Sequence, residues 1–140
     1  MTEAADAPVQ HRVCLPGQWP QLSEQDRAIA LELGQIGIPR NAALALMAFR
    51  QNGQDLRVTS WWLEHVTDSR QPEMSMALAW LQKEGQVKVE KQMSEGGKGR
   101  PLKVFALTRS VEGYVRLKIY EYRQQAEDRV ASLTKIFPGV

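Results

Sequence analysis

Apolar positions along the chain fall into five segments with helical spacing and three short ones with strand character. Ser23 followed by Asp26 marks a helix start, because a serine oxygen can accept from the unpaired N–H groups of a first turn. Ala28, Leu31 and Ile36, with Ile29 and Leu33 beside them, predict an amphipathic helix ending near Gly37. Pro39 and Arg40 break the chain, and Asn41 suits the N-cap of an Ala- and Leu-rich helix over 42–51 that closes at Asn52-Gly53. Residues 55–58 read as one short strand. Thr59 or Ser60 can cap a helix from Trp61 to about Thr67, followed by a tight turn at 68–71. Pro72 then opens a helix at its first position, where a missing N–H is no loss, and Gly85 stops it after Glu84. Residues 86–93 and 102–108 have strand character and flank the glycine-rich run 94–101, which predicts a long hairpin.

The last segment, 111–137, carries Val115, Ile119, Tyr122, Ala126, Val130, Leu133 and Phe137 at spacings of three and four. One helix over that span reaches roughly 40 Å. So small a domain cannot cover it, and a second copy of the chain is the natural partner for the stripe, making these seven residues the expected dimer contacts. Residues 1–21 contain three prolines and no periodicity, and read as a mobile arm docking near Val13, Leu15 and Trp19. The expected organisation is thus an arm over 1–21, a domain over 22–110 and a dimerisation helix over 111–140.

Composition narrows the class. With 140 residues, 43% of them hydrophobic and 24% charged, the chain makes one ordinary globular domain. No apolar run approaches a membrane span, and no signal-peptide order opens the sequence. One cysteine, Cys14, excludes a disulfide within the chain. The net charge of +2 is small, but its distribution is uneven. Residues 57–109 hold nine basic and six acidic side chains, a balance of +3, against −2 for the four basic and six acidic of residues 1–56.

The order of helix, short strand, helix, tight turn, helix and hairpin is that of a winged helix-turn-helix, mainly α with a small β-wing (α+β). In the helix after the turn, Met74, Leu78 and Leu81 share one inward face, and Ala77 allows close approach of the preceding helix. Gln71, Glu73, Ser75 and Met76 are left outside, where a helix laid in a major groove meets base edges. Gln71 can pair with adenine, Ser75 can donate or accept, Glu73 can accept from cytosine, and Met76 can touch a thymine methyl. Arg70 can reach a phosphate or a guanine, and Thr59 and Ser60 are candidate phosphate donors. Lys98 and Arg100, at a loop tip without bulky neighbours, suit the DNA backbone or a minor groove, with Lys88, Lys91 and Lys103 on the adjoining strands.

The stretch TSWWLEHVTDSRQPEMSMALAWLQKEGQVKVEK, followed by GGKGRPLKVFALT, resembles winged-helix regulators of the MarR and ArsR type, most of all their archaeal branch. The likeness is strong over 56–108 and looser over the final helix, which in these families serves dimerisation. It implies a cytoplasmic, nucleoid-associated homodimer that binds operator DNA and controls transcription. The cysteine metal motif of the ArsR type is absent here.

Other chemistry finds less support. His11 and Cys14 have half of a metal-site spacing, but no second pair exists and His65 is isolated, so no metal or cofactor is expected. No nucleophile elbow, phosphate loop or HExxH motif is present, and an enzyme is not expected. The Trp61-Trp62 pair could line a pocket for a small-molecule effector, but one core residue beside one at a junction is the commoner arrangement. Two rival functions remain open: a protein-interaction module, which the outward Met76, Ala79 and Trp80 would suit, and a sequence-independent architectural DNA binder.

Overall fold

The structure is a computed structural model and describes residues 9–10, 21–92 and 102–139. Val13, Leu15, Trp19, Lys98 and Arg100, on which several expectations rest, lie outside the described residues. The elements in chain order are β1 (Val9–Gln10), α1 (Glu24–Gln35), α2 (Arg40–Asn52), β2 (Arg57–Val58), α3 (Ser60–Thr67), α4 (Gln71–Lys83), β3 (Val87–Gln92), β4 (Leu102–Leu107) and α5 (Val111–Ile136).

The core forms where α2 is enclosed by the other helices. Its residues from Ala42 to Phe49 are all buried, and the four alanines among them let α1 and α4 approach closely. Met74, Ala77, Leu78 and Leu81 of α4 close this core together with Leu63 and Val66 of α3, as the spacing predicts. Burial of each large side chain in this set contributes roughly 1.5–3 kcal/mol.

One buried face and two helix starts differ from expectation for local reasons. Ser23 does cap α1, its Oγ accepting from the Asp26 N–H at 3.0 Å. The buried face of α1, however, is Asp26, Ala30 and Leu33, while Leu31 is 63% exposed and Ala28 lies outside. An ion pair at the edge of that face joins it to α2: Arg50, 44% exposed, reaches Asp26 at 3.3 Å, and a helix rotated to bury Leu31 would lose it. The N-cap of α2 is Pro39, not Asn41, and no side chain caps it. Helix α4 begins at Gln71, so Pro72 takes its second position, where an N–H is equally dispensable.

The sheet runs β1-β2-β4-β3. Strands β3 and β4 form the antiparallel hairpin, from Val87 opposite Leu107 to Gln92 opposite Leu102. Strand β2 adds antiparallel to β4, Val58 facing Phe105, which ties the hairpin to the start of α3. Within the expected arm, Val9–Gln10 pair in parallel with Arg57–Val58. Helix α5 is capped by Ser110, whose Oγ accepts from the Gly113 N–H at 3.0 Å. Only Val111 and Tyr114 of its 26 residues are buried.

Candidate nucleic-acid interface

The turn between α3 and α4 fixes how α4 is presented. Thr67 Oγ1 donates to the Leu63 carbonyl at 2.7 Å and lies 2.7 Å from Ser69 Oγ, which holds the end of α3. Asp68 then adopts a left-handed conformation, φ 56° and ψ 46°, and caps α3. Aspartate is among the few non-glycine residues that tolerate this region. The Ser69 N–H closes the turn on the Glu64 carbonyl at 2.9 Å. Burial pushes the Glu64 carboxyl above its ordinary range, against the opposing pull of His65.

Helix α4 leaves this turn with its N-terminal residues exposed. Gln71 and Ser75 stand one turn apart, and Gln71 Nε2 donates to Ser75 Oγ at 2.7 Å. Met76 is 75% exposed and Ala79 also lies outside. Glu73 is placed differently from its neighbours: its Oε1 accepts from the Arg70 backbone N–H at 2.9 Å, the carboxylate half of a capping box. Its charge therefore serves the start of α4, where the helix dipole favours an anion. The far end stops in a Schellman arrangement, the Gln86 N–H on the Leu81 carbonyl and the Gly85 N–H on that of Gln82, each at 3.0 Å. Gly85 there has φ 73°, which suits glycine and little else.

Thr59 and Ser60 separate in role. Thr59 is buried, and its Oγ1 accepts from the Trp62 N–H at 3.2 Å as the cap of α3. Burial corrects the expectation of Thr59 as a phosphate donor, while Ser60 beside it is half-buried. Trp62 packs in the core, and Trp61 is exposed with its ring edge-on to His65 at 5.4 Å.

The hairpin strands carry an unusual pair. Lys91 and Lys103 are exposed and stand directly opposite one another across β3 and β4. Facing like charges destabilise a sheet, so the arrangement holds cations together at a cost. Lys88 lies on β3 within 4.0 Å of Glu90, whose other oxygen takes a 2.9 Å bond from Arg57.

A polar network links α4 to α5. Glu84, just past the end of α4, accepts from the Tyr114 hydroxyl at 2.8 Å and from Lys118 Nζ at 3.1 Å. Lys118 also meets Glu121 at 3.0 Å and lies 5.7 Å from the centre of the Trp80 ring. Burial pushes the Glu84 carboxyl up, but the bonds from Tyr114 and Lys118 outweigh it and hold the group below its ordinary range. Burial and the bond to Glu84 push the Tyr114 hydroxyl far above its usual range. Sequence reading missed this network, although Glu84, Tyr114 and Lys118 are all legible as polar residues near element ends.

Along α5, Val115 is half-buried against its own domain, which sets it apart from the rest of the expected dimer stripe. Ile119, Tyr122, Ala126, Val130, Leu133 and Phe137 are exposed, and so are Leu117, Tyr120 and Ile136 on other faces. Between α1, α2 and the first turns of α5 lies a groove of about 340 Å³, lined by Ile29, Leu33, Met47, Val115 and Ile119 with Arg50 and Arg116 among its walls. Among the described residues no group of three or more His, Cys, Asp or Glu is placed to hold a metal ion. No described helix is long and apolar enough to cross a membrane.

Two helices joined by a tight turn, the second presented beside an antiparallel hairpin, make this an α+β winged helix with a long C-terminal helix. No family model matches the sequence, and no curated protein does. Solved structures share the fold. A possible transcriptional regulator from Methanosarcina mazei Go1 is similar at a TM-score of 0.61 and 12% identity, over 80% of this chain and 88% of that one. The transcriptional regulator PA4135 aligns at a TM-score of 0.45 and 19% identity, over 80% of this chain and 87% of its own.

Proposed function

We propose that the chain is a transcriptional regulator that binds double-stranded DNA sequence-specifically as a homodimer. The observation that carries this is the outer face of α4: Gln71, Ser75 and Met76 stand exposed at the N-terminal end of the second helix of a helix-turn-helix. Glu73, the one carboxylate among them, is occupied by the helix start. Ser60 and Arg70 lie at the starts of α3 and α4, where phosphates pass a helix-turn-helix. The facing Lys91 and Lys103 repel each other until an anion lies between or beside them, and the sequence between the two strands carries further positive charge in Lys98 and Arg100. The name of the Methanosarcina mazei Go1 protein agrees with this reading.

The homodimer rests on α5, about 39 Å long by its 26 residues, with an apolar stripe from Ile119 to Phe137 in water. Two copies joined along it place two α4 helices on half-sites about one helical turn, roughly 34 Å, apart. The protein-interaction reading is favoured by one specific feature, the exposed Met76 beside a groove of about 260 Å³ lined by Pro39, Asn41, Ala77 and Trp80. The two readings separate in a titration of labelled duplex, including DNA upstream of the protein's own gene, followed by anisotropy at several salt concentrations. The regulator reading expects tight, salt-sensitive binding that Lys98→Glu/Arg100→Glu abolishes. A folded dimer that ignores all duplexes at low salt would leave the interaction module.

A further inference from the structure

The bond between Gln71 and Ser75 restricts what the outer face of α4 can read. An amide side chain has two N–H donors and one acceptor oxygen. Gln71 places one N–H on Ser75 Oγ at 2.7 Å, which leaves its second N–H and its Oε1 to a partner at the exposed end of the helix. That remaining donor and acceptor match adenine in the major groove, whose N7 accepts and whose N6 amino group donates. Guanine offers two acceptors there, and the side chains that pair with it best are arginine and lysine. Neither occurs within α4 before Lys83 in its last turn. Cytosine offers a donor, for which Glu73 would be the acceptor, but one Glu73 oxygen is held by the Arg70 N–H at the helix start.

Resting on the DNA-binding reading above, we propose that Gln71 reads an adenine, that Ser75 is the residue that positions it, and that Met76 reads a thymine methyl nearby. Met76 lies five residues beyond Gln71, about 7.5 Å along the helix axis. With base pairs spaced by about 3.4 Å and Met76 turned about 140° round the helix from Gln71, the thymine lies on a different base pair from the adenine. The core of each half-site is accordingly A·T-containing. Ala79, one turn past Ser75 with no more than a methyl group, leaves room for the groove wall at that point.

The test begins with selection of bound sequences from a random duplex pool. The selected duplex is then remade with 7-deazaadenine at each adenine in turn, and with uracil at each thymine. One adenine is expected whose N7 removal weakens wild-type binding about tenfold or more. The same replacement leaves the affinity of Gln71→Ala unchanged, because the contact is already gone. Ser75→Ala, with an unchanged melting temperature, shows an intermediate 7-deazaadenine penalty, an effect that loss of a merely structural serine would not produce. Met76→Ala becomes indifferent to one uracil substitution that weakens the wild type. A selected site without a required adenine, or an equal 7-deazaadenine penalty in wild type and Gln71→Ala, overturns the proposal while regulator function stands. Absence of binding to any duplex at low salt overturns both.

Discussion

The substitution Lys103→Glu sets stability against function in the hairpin. Lys103 faces Lys91 across the strand pair, both exposed. Two ammonium groups about 7 Å apart in water repel by about 0.6 kcal/mol. Salt at physiological strength, with a Debye length of about 8 Å, reduces this by roughly half. A glutamate at 103 replaces the repulsion with an attraction of similar size, a gain of about 0.6 kcal/mol in physiological salt and about 1.2 kcal/mol at low salt. For a domain of this size the melting temperature should rise by about 2 °C and about 5 °C in the two conditions. DNA binding should move the other way, because on the proposed function the substitution puts an anion where the hairpin meets phosphate. Affinity falls, and the slope of log K against log[salt] loses about one unit. Thermal unfolding by circular dichroism and anisotropy titration would be run side by side on the same preparation. A variant that melts lower than the wild type, or that binds DNA equally well with the same salt slope, would refute the account of this lysine pair.

Three further outcomes follow from the geometry. The Glu84 carboxyl is held below its ordinary value of 4.5, so its contribution is present above that pH and is lost as pH falls through the lower folded value. Tyr114→Phe should therefore cost about 1 kcal/mol at neutral pH, seen as a lower urea midpoint, with the difference from wild type shrinking in acid. At Asp68, with φ of 56°, glycine should be accepted without loss, whereas valine should cost at least about 1–2 kcal/mol in chemical denaturation. Val130→Glu/Leu133→Glu puts charge on the exposed stripe of α5, 63% and 49% exposed in the single chain. Light scattering should report a monomer and circular dichroism an unchanged fold, and a persisting dimer would place the subunit contact elsewhere.

Elements with a repeating pattern were legible in the sequence, and features made by distant pairs were not. Met74, Leu78 and Leu81 at helical spacing located the buried face of α4, and the strands around the glycine-rich run located the hairpin. The face of α1 was misread because apolar spacing carries no sign that Asp26 turns inward, with Arg50, 24 residues away, as its partner. Asn41 looked like a cap by residue type, yet Pro39 holds that position because α2 starts two residues earlier. Strand β1 could not be foreseen at all, since two residues have no period and their partners lie 48 positions on. Among the site residues, exposure of Gln71, Ser75 and Met76 followed from the helical period. The use of Glu73 for the helix start is visible only with the Arg70 N–H in place, although its position three residues after Arg70 has the spacing of a capping box.

The central claim is that the outer face of α4 meets DNA, and amide and methyl resonances of the labelled protein titrated with a selected duplex test it most directly. The account predicts that the largest shifts fall on Gln71, Ser75 and the Met76 methyl, with smaller ones at Ser60, Lys91 and Lys103. Shifts confined to other surfaces, or none at a duplex concentration where mobility shows a complex, would contradict it.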